Sequence, residues 1–326
     1  MAPDGRLVRV ESPLSGLPPE KVRDLSRTFL LDQLESYHGA RPPDGAVEGD
    51  YSLWRCRETG LEFAWPMLAG NVALYEWLSS FASYYPEARW EYGEVRRLVE
   101  ARDAGTERTK VLDVGCGKGN FLAKLDFLPA DLRYGLDLNE PGVAACRQRG
   151  FQAFCGTIED ALEARFVRPS EFSAVTSFHC LEHVDAPVEF VRALAALAAP
   201  DGRVFVSTPY SPMSFESDWF DVLNHPPHHL TRWNAESYRR LAAMLGLKMR
   251  CFFPPSAVLK QALMTFRLLQ YGPHRRVRAT TLLRDMVRRF PVLLRALRSQ
   301  LERGRGNGGE SGGVTADVVL VELTAR

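Results

Sequence analysis

Two groups of residues have the types and spacing to do chemistry. The first is Val111-Leu112-Asp113-Val114-Gly115-Cys116-Gly117-Lys118-Gly119-Asn120, an apolar strand that runs directly into a glycine turn and a helix start. Such a turn exposes main chain at a ligand-binding edge, because glycine tolerates the turn angles and carries no side chain to keep a ligand away. A dinucleotide fingerprint requires glycine at its first, third and sixth positions. Here the sixth is Asn120, which disfavours an NAD-dependent oxidoreductase and points to a ligand without a pyrophosphate. Asp137 closes the next strand pattern, Tyr134-Gly135-Leu136-Asp137-Leu138, where a carboxylate can accept from both hydroxyls of a ribose. Asn139, ahead of Glu140 and Pro141, supplies the helix cap that Asp137 would otherwise provide.

The second group is rich in imidazole: His179, Glu182 and His183 in one short segment, and His225, His228 and His229 in another. Imidazole titrates near neutral pH and can take a proton from a hydroxyl. His183 is the leading candidate base, with His179 and His228 as the other catalytic candidates. Nitrogen and carboxylate donors also suit a divalent ion. His179, Glu182, His183 and His228 or His229 therefore form a candidate metal site, although the reading adopted needs no metal. In the alternative, the same groups hydrogen-bond one another and the acceptor. Tyr210, Trp219, Phe220 and Trp233 are candidate walls of an acceptor pocket or, equally, core residues.

Elements must hold these groups in place. Strand patterns fall at 110–114, 132–138, 151–155, 172–178, 202–207 and 247–253, with helical stretches at 119–127, 140–149, 185–198 and 235–245. Alternation of this kind predicts a doubly wound α/β fold on a mostly parallel sheet. Before it, the pattern predicts a helix over Pro19–Tyr37, a hairpin around Glu58-Thr59-Gly60 that stops at Pro66, and helices at 71–84 and 91–102. After it, 257–303 is helical, divided at Pro291, with Leu283, Met286, Val287, Phe290, Leu294, Leu297 and Leu301 recurring at three and four. A glycine-rich linker at 304–313 leads to a last strand, Ala316–Leu323. The expected organisation is an N-terminal extension (1–107), a core (108–255), a helical insert with its linker (256–313) and a final core strand (314–326).

The chain has 326 residues, 45% hydrophobic and 25% charged, which excludes disorder, collagen and coiled coil as descriptions of the whole. A net charge of +1 argues against a surface that coats nucleic acid, and no DNA partner is expected. Six cysteines without short paired spacing fit neither a disulfide framework nor a cysteine zinc site, so a cytoplasmic location is expected. No secretory signal and no bilayer-spanning run is seen. Charge is uneven, however. From Lys260 to Arg303 eleven basic residues face only Asp285 and Glu302, a net +9. Such an insert suits an anionic partner approached through Arg275–Arg303: a membrane surface with the protein peripheral to it, a lipid-linked or phosphorylated substrate, or RNA. Its alternative is a solvated lid whose arginines pair with acids elsewhere on the chain.

These features together resemble the class I S-adenosylmethionine-dependent methyltransferases. "FSAVTSFHCLEHVDAPVEFVRAL" is similar to that family's fourth strand and following helix, with Leu181-Glu182-His183-Val184 as its usual signature; "LAAPDGRVFVSTPY" is similar to the fifth strand, and "PPHHLTRWNAESYRRLAAMLGLK" to the segment running into the sixth. The resemblance implies a seven-stranded Rossmann-like sheet and S-adenosylmethionine as cofactor. Asp113, Gly115 and Gly117 would border its methionine part, Asp137 its ribose, and Ile158 and Glu159 its adenine, with Cys116, Gly119, Leu138 and His179 completing the expected set. Thr157 stands where the family often has an acid. "CRETGLEFAWP" also resembles the second half of a zinc ribbon found in some members, keeping Cys56, Gly60 and Pro66 but with Thr59 in place of the second cysteine and no earlier cysteine pair. One thiolate cannot build a tetrahedral cysteine site, so a metal-free ribbon is expected. The activity implied is O-methylation of a small molecule, glycan or lipid-linked intermediate by in-line methyl transfer. RNA methylation and a non-catalytic adenosylmethionine-binding module are the alternatives.

Overall fold

The computed structural model describes residues 10–325 apart from 82, 83, 85, 104–108, 217, 255–257, 273–277 and 307–315. Its N-terminal part contains strand β1 (Glu20–Leu25), helix α1 (Arg27–His38), the hairpin β2 (Tyr51–Arg55) and β3 (Glu62–Trp65), then α2 (Val72–Ser79) and α3 (Trp90–Asp103). The helix predicted from Pro19 therefore begins only at Arg27. Its apolar positions Phe29, Leu30 and Leu34 all follow Ser26, whose hydroxyl caps it by accepting from the Phe29 N–H at 3.2 Å. Residues 20–25 instead pair antiparallel with β2 as an exposed edge strand.

The core follows as β4 (Val111–Val114), β5 (Arg133–Asp137), α4 (Glu140–Gln148), β6 (Gln152–Cys155), α5 (Ile158–Glu163), β7 (Phe172–Phe178), α6 (Pro187–Leu197), β8 (Ala198–Pro209), β9 (Thr231–Arg232), α7 (Ala235–Met244) and β10 (Leu247–Phe252). Helices α8 (Val258–Tyr271), α9 (Ala279–Arg288) and α10 (Phe290–Gly306) form the insert, and β11 (Val318–Ala325) closes the chain. Seven strands make one sheet in the order β10-β11-β8-β7-β4-β5-β6. The five from β8 to β6 run parallel, while β11 is antiparallel to both its neighbours. The doubly wound expectation holds.

Each face of this sheet is covered. Val188, Val191 and Leu194 of α6 and Tyr238 and Leu241 of α7 pack on one side with Val175 and Val206. Val143 of α4 and Val95 and Val99 of α3 pack on the other with Phe121 and Phe205. Thus α3, from the N-terminal part, is a structural helix of the core sheet, and the buried Arg203 fastens it by donating to Leu98 O at 2.7 Å.

Several boundaries differ from expectation. The helix predicted at 119–127 is a 3-10 turn over Leu122–Lys124. The short α5 escaped the pattern, although Thr157 and Asp160 form a reciprocal capping box at its start. Strand β8 is longer than 202–207. The insert breaks at Arg289, two residues before Pro291, which sits in the first turn of α10, where its missing N–H costs no hydrogen bond. Among the described residues, no helix is long and apolar enough to cross a membrane.

A second sheet has the order β1-β2-β3-β9. Its last strand belongs to the core segment that carries His228 and His229, so the two sheets share one stretch of chain.

Candidate active site

The glycine turn lies at the C-terminal edge of β4. Gly115 has φ +81°, and a Cβ there would stand 2.1 Å from Cys180 Sγ, so position 115 admits only glycine without rearrangement. The Gly115 and Cys116 N–H groups both donate to Leu136 O at 2.8 and 3.0 Å, and the Gly117 N–H donates to Asp137 Oδ2 at 2.7 Å. The other Asp137 oxygen accepts from Asn139 N–H at 2.8 Å. Asp137 thus clamps the loop to the end of β5. Burial pushes its pKa up, and the main-chain N–H groups of Asn139 and Gly117 counter that. Beside it Leu138 is 74% exposed, an apolar surface at the same edge. A Gly156 N–H to Asp137 O bond of 3.0 Å brings the start of α5 alongside, with Glu159 exposed and Ile158 buried beneath.

Exposed main chain at Gly115, the Asp137 carboxylate at the end of the next strand and an exposed leucine beyond it form the ligand-binding edge expected of such a sheet. Three of the expected contact residues have contacts within the fold. Asp113 is 2% exposed and accepts from Thr176 Oγ1 at 2.7 Å; burial pushes its pKa well up, so it anchors β4 to β7 from under the loop. The Cys116 thiol turns inward to lie 3.8 Å from Cys146 Sγ, and a Cβ on Gly119 would meet that same Cys146 sulfur at 2.8 Å.

Next to the crevice, the segment after β7 and the loop before β9 bring His183, His228 and His229 together, with ligand atoms within 4.8 Å of one another. Their tautomers are fixed. His183 Nδ1 lies 2.6 Å from His228 O, His228 Nδ1 2.8 Å from Leu223 O, and His229 Nδ1 3.1 Å from Asn224 Oδ1. The Asn224 amide nitrogen faces Glu216, so its oxygen is the group turned to His229. Each of these oxygens only accepts, so each Nδ1 holds the proton and each Nε2 keeps its lone pair. Burial holds all three rings neutral: His183 is pushed down, His228 down to about 3 with His183 adding to the effect, and His229 well down. Glu182, 1% exposed, faces this cluster with Oε1 4.0 Å from His229 Nε2. Neither of its oxygens has a well-aligned hydrogen bond. A buried carboxylate left so is costly unless a proton, a cation or a substrate group completes it.

His179 plays a different part from the one expected. Its backbone is left-handed (φ +54°), its Nε2 lies 2.9 Å from Glu91 Oε1, and its Nδ1 contacts Glu182 Oε1 off-line at 3.3 Å. Burial lowers its pKa, but the two carboxylates outweigh this and raise it, and the ring bridges Glu91 and Glu182. It is neither a free base nor one of the three clustered imidazoles, and His228 takes its place in the potential ligand set. Residues of the N-terminal part complete the surroundings: Glu91 on α3, Tyr75 on α2 with its hydroxyl 3.4 Å from His183 Nδ1, and Tyr84 with its hydroxyl 3.3 Å from His228 Nε2. None of these three was expected from the sequence, and no spacing pattern marks them.

The aromatic candidates divide. Trp233 is fully buried against Tyr238, and Tyr210 packs on Phe253, both away from the histidines. Trp219 stacks on Tyr37, and Phe220 lies against His225. With Arg23, Arg55 and Glu62 they line a cavity of about 400 Å³ on the face of the second sheet. The loop between Asp221 and Leu230 thus presents His225 to this cavity and His228 and His229 to Glu182.

The chain was compared with known proteins. It is 36% identical over 106 residues to the ubiquinone biosynthesis O-methyltransferase of Neisseria meningitidis, covering 30% of this chain and 43% of that protein. It is 30% identical over 139 residues to the enzyme of the same name from Proteus mirabilis, covering 40% and 56%. The chain therefore spans about half the length of the curated relatives it matches. Among solved structures, a SAM-dependent methyltransferase from Archaeoglobus fulgidus aligns at 19% identity with a TM-score of 0.41, over 70% of this chain and 93% of that one. A family model described as a methyltransferase domain matches residues 87–251, just over half of the chain. That span runs from the helix carrying Glu91 through the glycine turn, Asp137 and the histidine cluster to β10, and the chain belongs to this family, the class I S-adenosylmethionine-dependent methyltransferases.

Proposed function

We propose that this methyltransferase acts on oxygen, and that the acceptor hydroxyl is received at the cluster formed by Glu182, His183, His228 and His229. The observation that carries this reading is the pairing of three imidazoles, each with its Nδ1 proton committed to an oxygen, with a buried and incompletely satisfied carboxylate. A sulfonium donor is already activated, so the protein's main task is alignment of donor and acceptor. A hydroxyl must in addition lose its proton. His183 Nε2, neutral and beside the crevice, is the group assigned to take it, and Glu182 stabilises the imidazolium that results. Glu91 and His179 fix Glu182 from behind. The names of the curated relatives support oxygen as the methylated atom. The acceptor class we assign is a hydroxyl-bearing small molecule, glycan or lipid-linked intermediate.

The same donors suit a divalent cation: Glu182, His183, His228 and His229 would hold it, and neutral imidazole with carboxylate is a fitting set. When bound, such an ion would lower the pKa of an acceptor hydroxyl.

The test is transfer of a radiolabelled methyl group to a panel of phenolic, prenylated and glycan acceptors by the wild type and by Glu182→Gln and His183→Ala. The expected result is labelled ether product from the wild type and at least a hundredfold lower turnover in both variants, with adenosylmethionine affinity within threefold of normal. Label on nitrogen or carbon, or full turnover in both variants, would overturn the assignment. Turnover before and after chelation, with readdition of magnesium or zinc, distinguishes a metal-assisted centre from an imidazole base acting alone.

A further inference from the structure

Helices α9 and α10 carry an apolar stripe that the rest of the molecule does not cover. Leu283 is 63% exposed, Val287 72%, Phe290 57% and Leu294 50%. Leu283 and Val287 are four apart on α9, and Phe290 and Leu294 are four apart on α10, so each pair lies on one side of its helix. The adjoining flank does the packing: Ala296 is buried, Leu282, Met286, Leu293 and Leu297 are partly buried, and α10 lies against α8, whose Ala262 and Phe266 are fully buried. The exposed residues are thus the outward edge of a face whose inner edge is packed.

Arginine surrounds it. Arg284, Arg288, Arg289 and Arg295 are exposed beside the apolar residues. Among the described residues of α9 and of α10 as far as Arg298, Asp285 is the sole acid, and it is engaged by the Tyr271 hydroxyl and by Arg284. Arg275, Arg276 and the Arg303 side chain, included in the expected basic face, lie outside the described residues. The alternative of a lid whose arginines pair with acids elsewhere on the chain is not what Arg284, Arg289 and the exposed apolar stripe display: their described partners are Asp285 and Gln270, both within the insert.

We propose that this face seats the protein on an anionic lipid surface, with Leu283, Val287, Phe290 and Leu294 entering the headgroup boundary and the flanking arginines meeting lipid phosphates. Large apolar residues beside cations match a surface that is apolar within and anionic at its rim. A single-stranded nucleic acid would use the cations but calls for a row of stacking rings, and this stripe has one aromatic residue in four. The proposal is independent of which acceptor is methylated.

Co-sedimentation tests it, using the full chain with vesicles of phosphatidylcholine alone and vesicles containing about one third phosphatidylglycerol. The wild type is expected to pellet with the anionic vesicles and not with the neutral ones. Val287→Ser with Phe290→Ser should weaken that binding at least tenfold, as should Arg284→Glu with Arg288→Glu, while circular dichroism and adenosylmethionine affinity stay as in the wild type. Failure of the wild type to pellet would overturn the proposal, and so would unchanged binding by the Ser variant. If sedimentation velocity shows a wild-type dimer that the Ser variant dissociates, the stripe joins two copies and the proposal falls. It falls equally if the wild type binds an RNA oligonucleotide through these arginines but not the vesicles.

Discussion

Asp137 holds the Gly117 and Asn139 N–H groups with its two oxygens, and it is the residue proposed to meet the cofactor's ribose. Hydrogen bonds to a charged group are worth about 1.5–3 kcal/mol each. Asp137→Ala is therefore expected to weaken adenosylmethionine binding by tenfold or more in calorimetry, with Asp137→Asn between it and the wild type; an unchanged Kd would remove the ribose assignment. Asp221 offers a second measurement at this scale. Burial pushes its pKa up to about 6, despite the Leu223 N–H it accepts. An acid that titrates higher in the folded than in the unfolded state binds protons more tightly when native, so its contribution falls as pH rises from about 4 to 6 and stays low above. Asp221→Asn keeps an acceptor for Leu223 and should stabilise the protein by about 1–2 kcal/mol at pH 8 but not at pH 4, as read by denaturant titration at both values. That the glycine turn and Asp137 meet at one sheet edge was legible because they lie on adjacent strands with their chemistry written locally. Glu91 was not: 88 residues separate it from His179, and an acidic residue in an ordinary helix carries no mark of the imidazole it will meet.

At the scale of elements, the N-terminal hairpin holds a symmetry that the cysteines alone concealed. Ser12-Pro13-Leu14-Ser15-Gly16-Leu17 and Cys56-Arg57-Glu58-Thr59-Gly60-Leu61 share one pattern and one fold. In each, the first residue's N–H donates to the carbonyl of the last (3.0 and 2.8 Å), the glycine N–H donates back to the first residue's carbonyl (2.8 Å in both), and the glycine is left-handed (φ +66° and +68°). These are two turns of one design, and Ser12 and Ser15 stand in the first where Cys56 and Thr59 stand in the second. Ser15 Oγ lies 3.6 Å from Cys56 Sγ. Burial would raise the Cys56 pKa, but the hydroxyls of Ser12, Thr59 and Ser15 bring it down to about 7. Hydrogen bonds thus occupy the positions that metal bonds would. Zinc–sulfur bonds of about 2.3 Å put tetrahedral sulfurs about 3.8 Å apart, close to the spacing found. Ser12→Cys, Ser15→Cys and Thr59→Cys together should therefore create a four-thiolate site with Cys56. Cobalt titration of the triple variant is expected to give the intense visible bands of tetrahedral thiolate coordination at one ion per chain, and octahedral-like weak bands would show that the turns do not converge. Periodicity located most core elements, but it could not see β1, whose charged residues become a strand only because β2 offers an edge.

For the molecule as a whole, the decisive feature is that the second sheet cannot be lifted from the core. Its strand β9 pairs with β3, Ala64 N–H donates to Leu230 O at 2.8 Å, and Leu230 N–H donates to Glu182 O at 2.7 Å. One residue therefore links the N-terminal hairpin to the segment carrying Glu182 and His183, immediately after the His228-His229 pair. The adjoining Arg232 is 6% exposed and is held by Glu62 at 2.7 Å and by Glu216. Removing one partner of a buried ion pair typically costs about 3–5 kcal/mol; because Glu216 remains, Glu62→Ala should cost about 2 kcal/mol, lowering Tm by several degrees. The Glu62 carboxylate is bonded to Arg55 and Arg232 rather than to the glycine turn or Asp137, so adenosylmethionine affinity should change little while kcat falls as the histidine loop loses its support. Wild-type unfolding should be one transition, coincident by tryptophan fluorescence, which is weighted towards Trp54, Trp65, Trp77 and Trp90 ahead of the core, and by far-ultraviolet circular dichroism. An earlier fluorescence transition, with turnover in Glu62→Ala untouched, would mean that the N-terminal sheet folds and acts apart from the catalytic core.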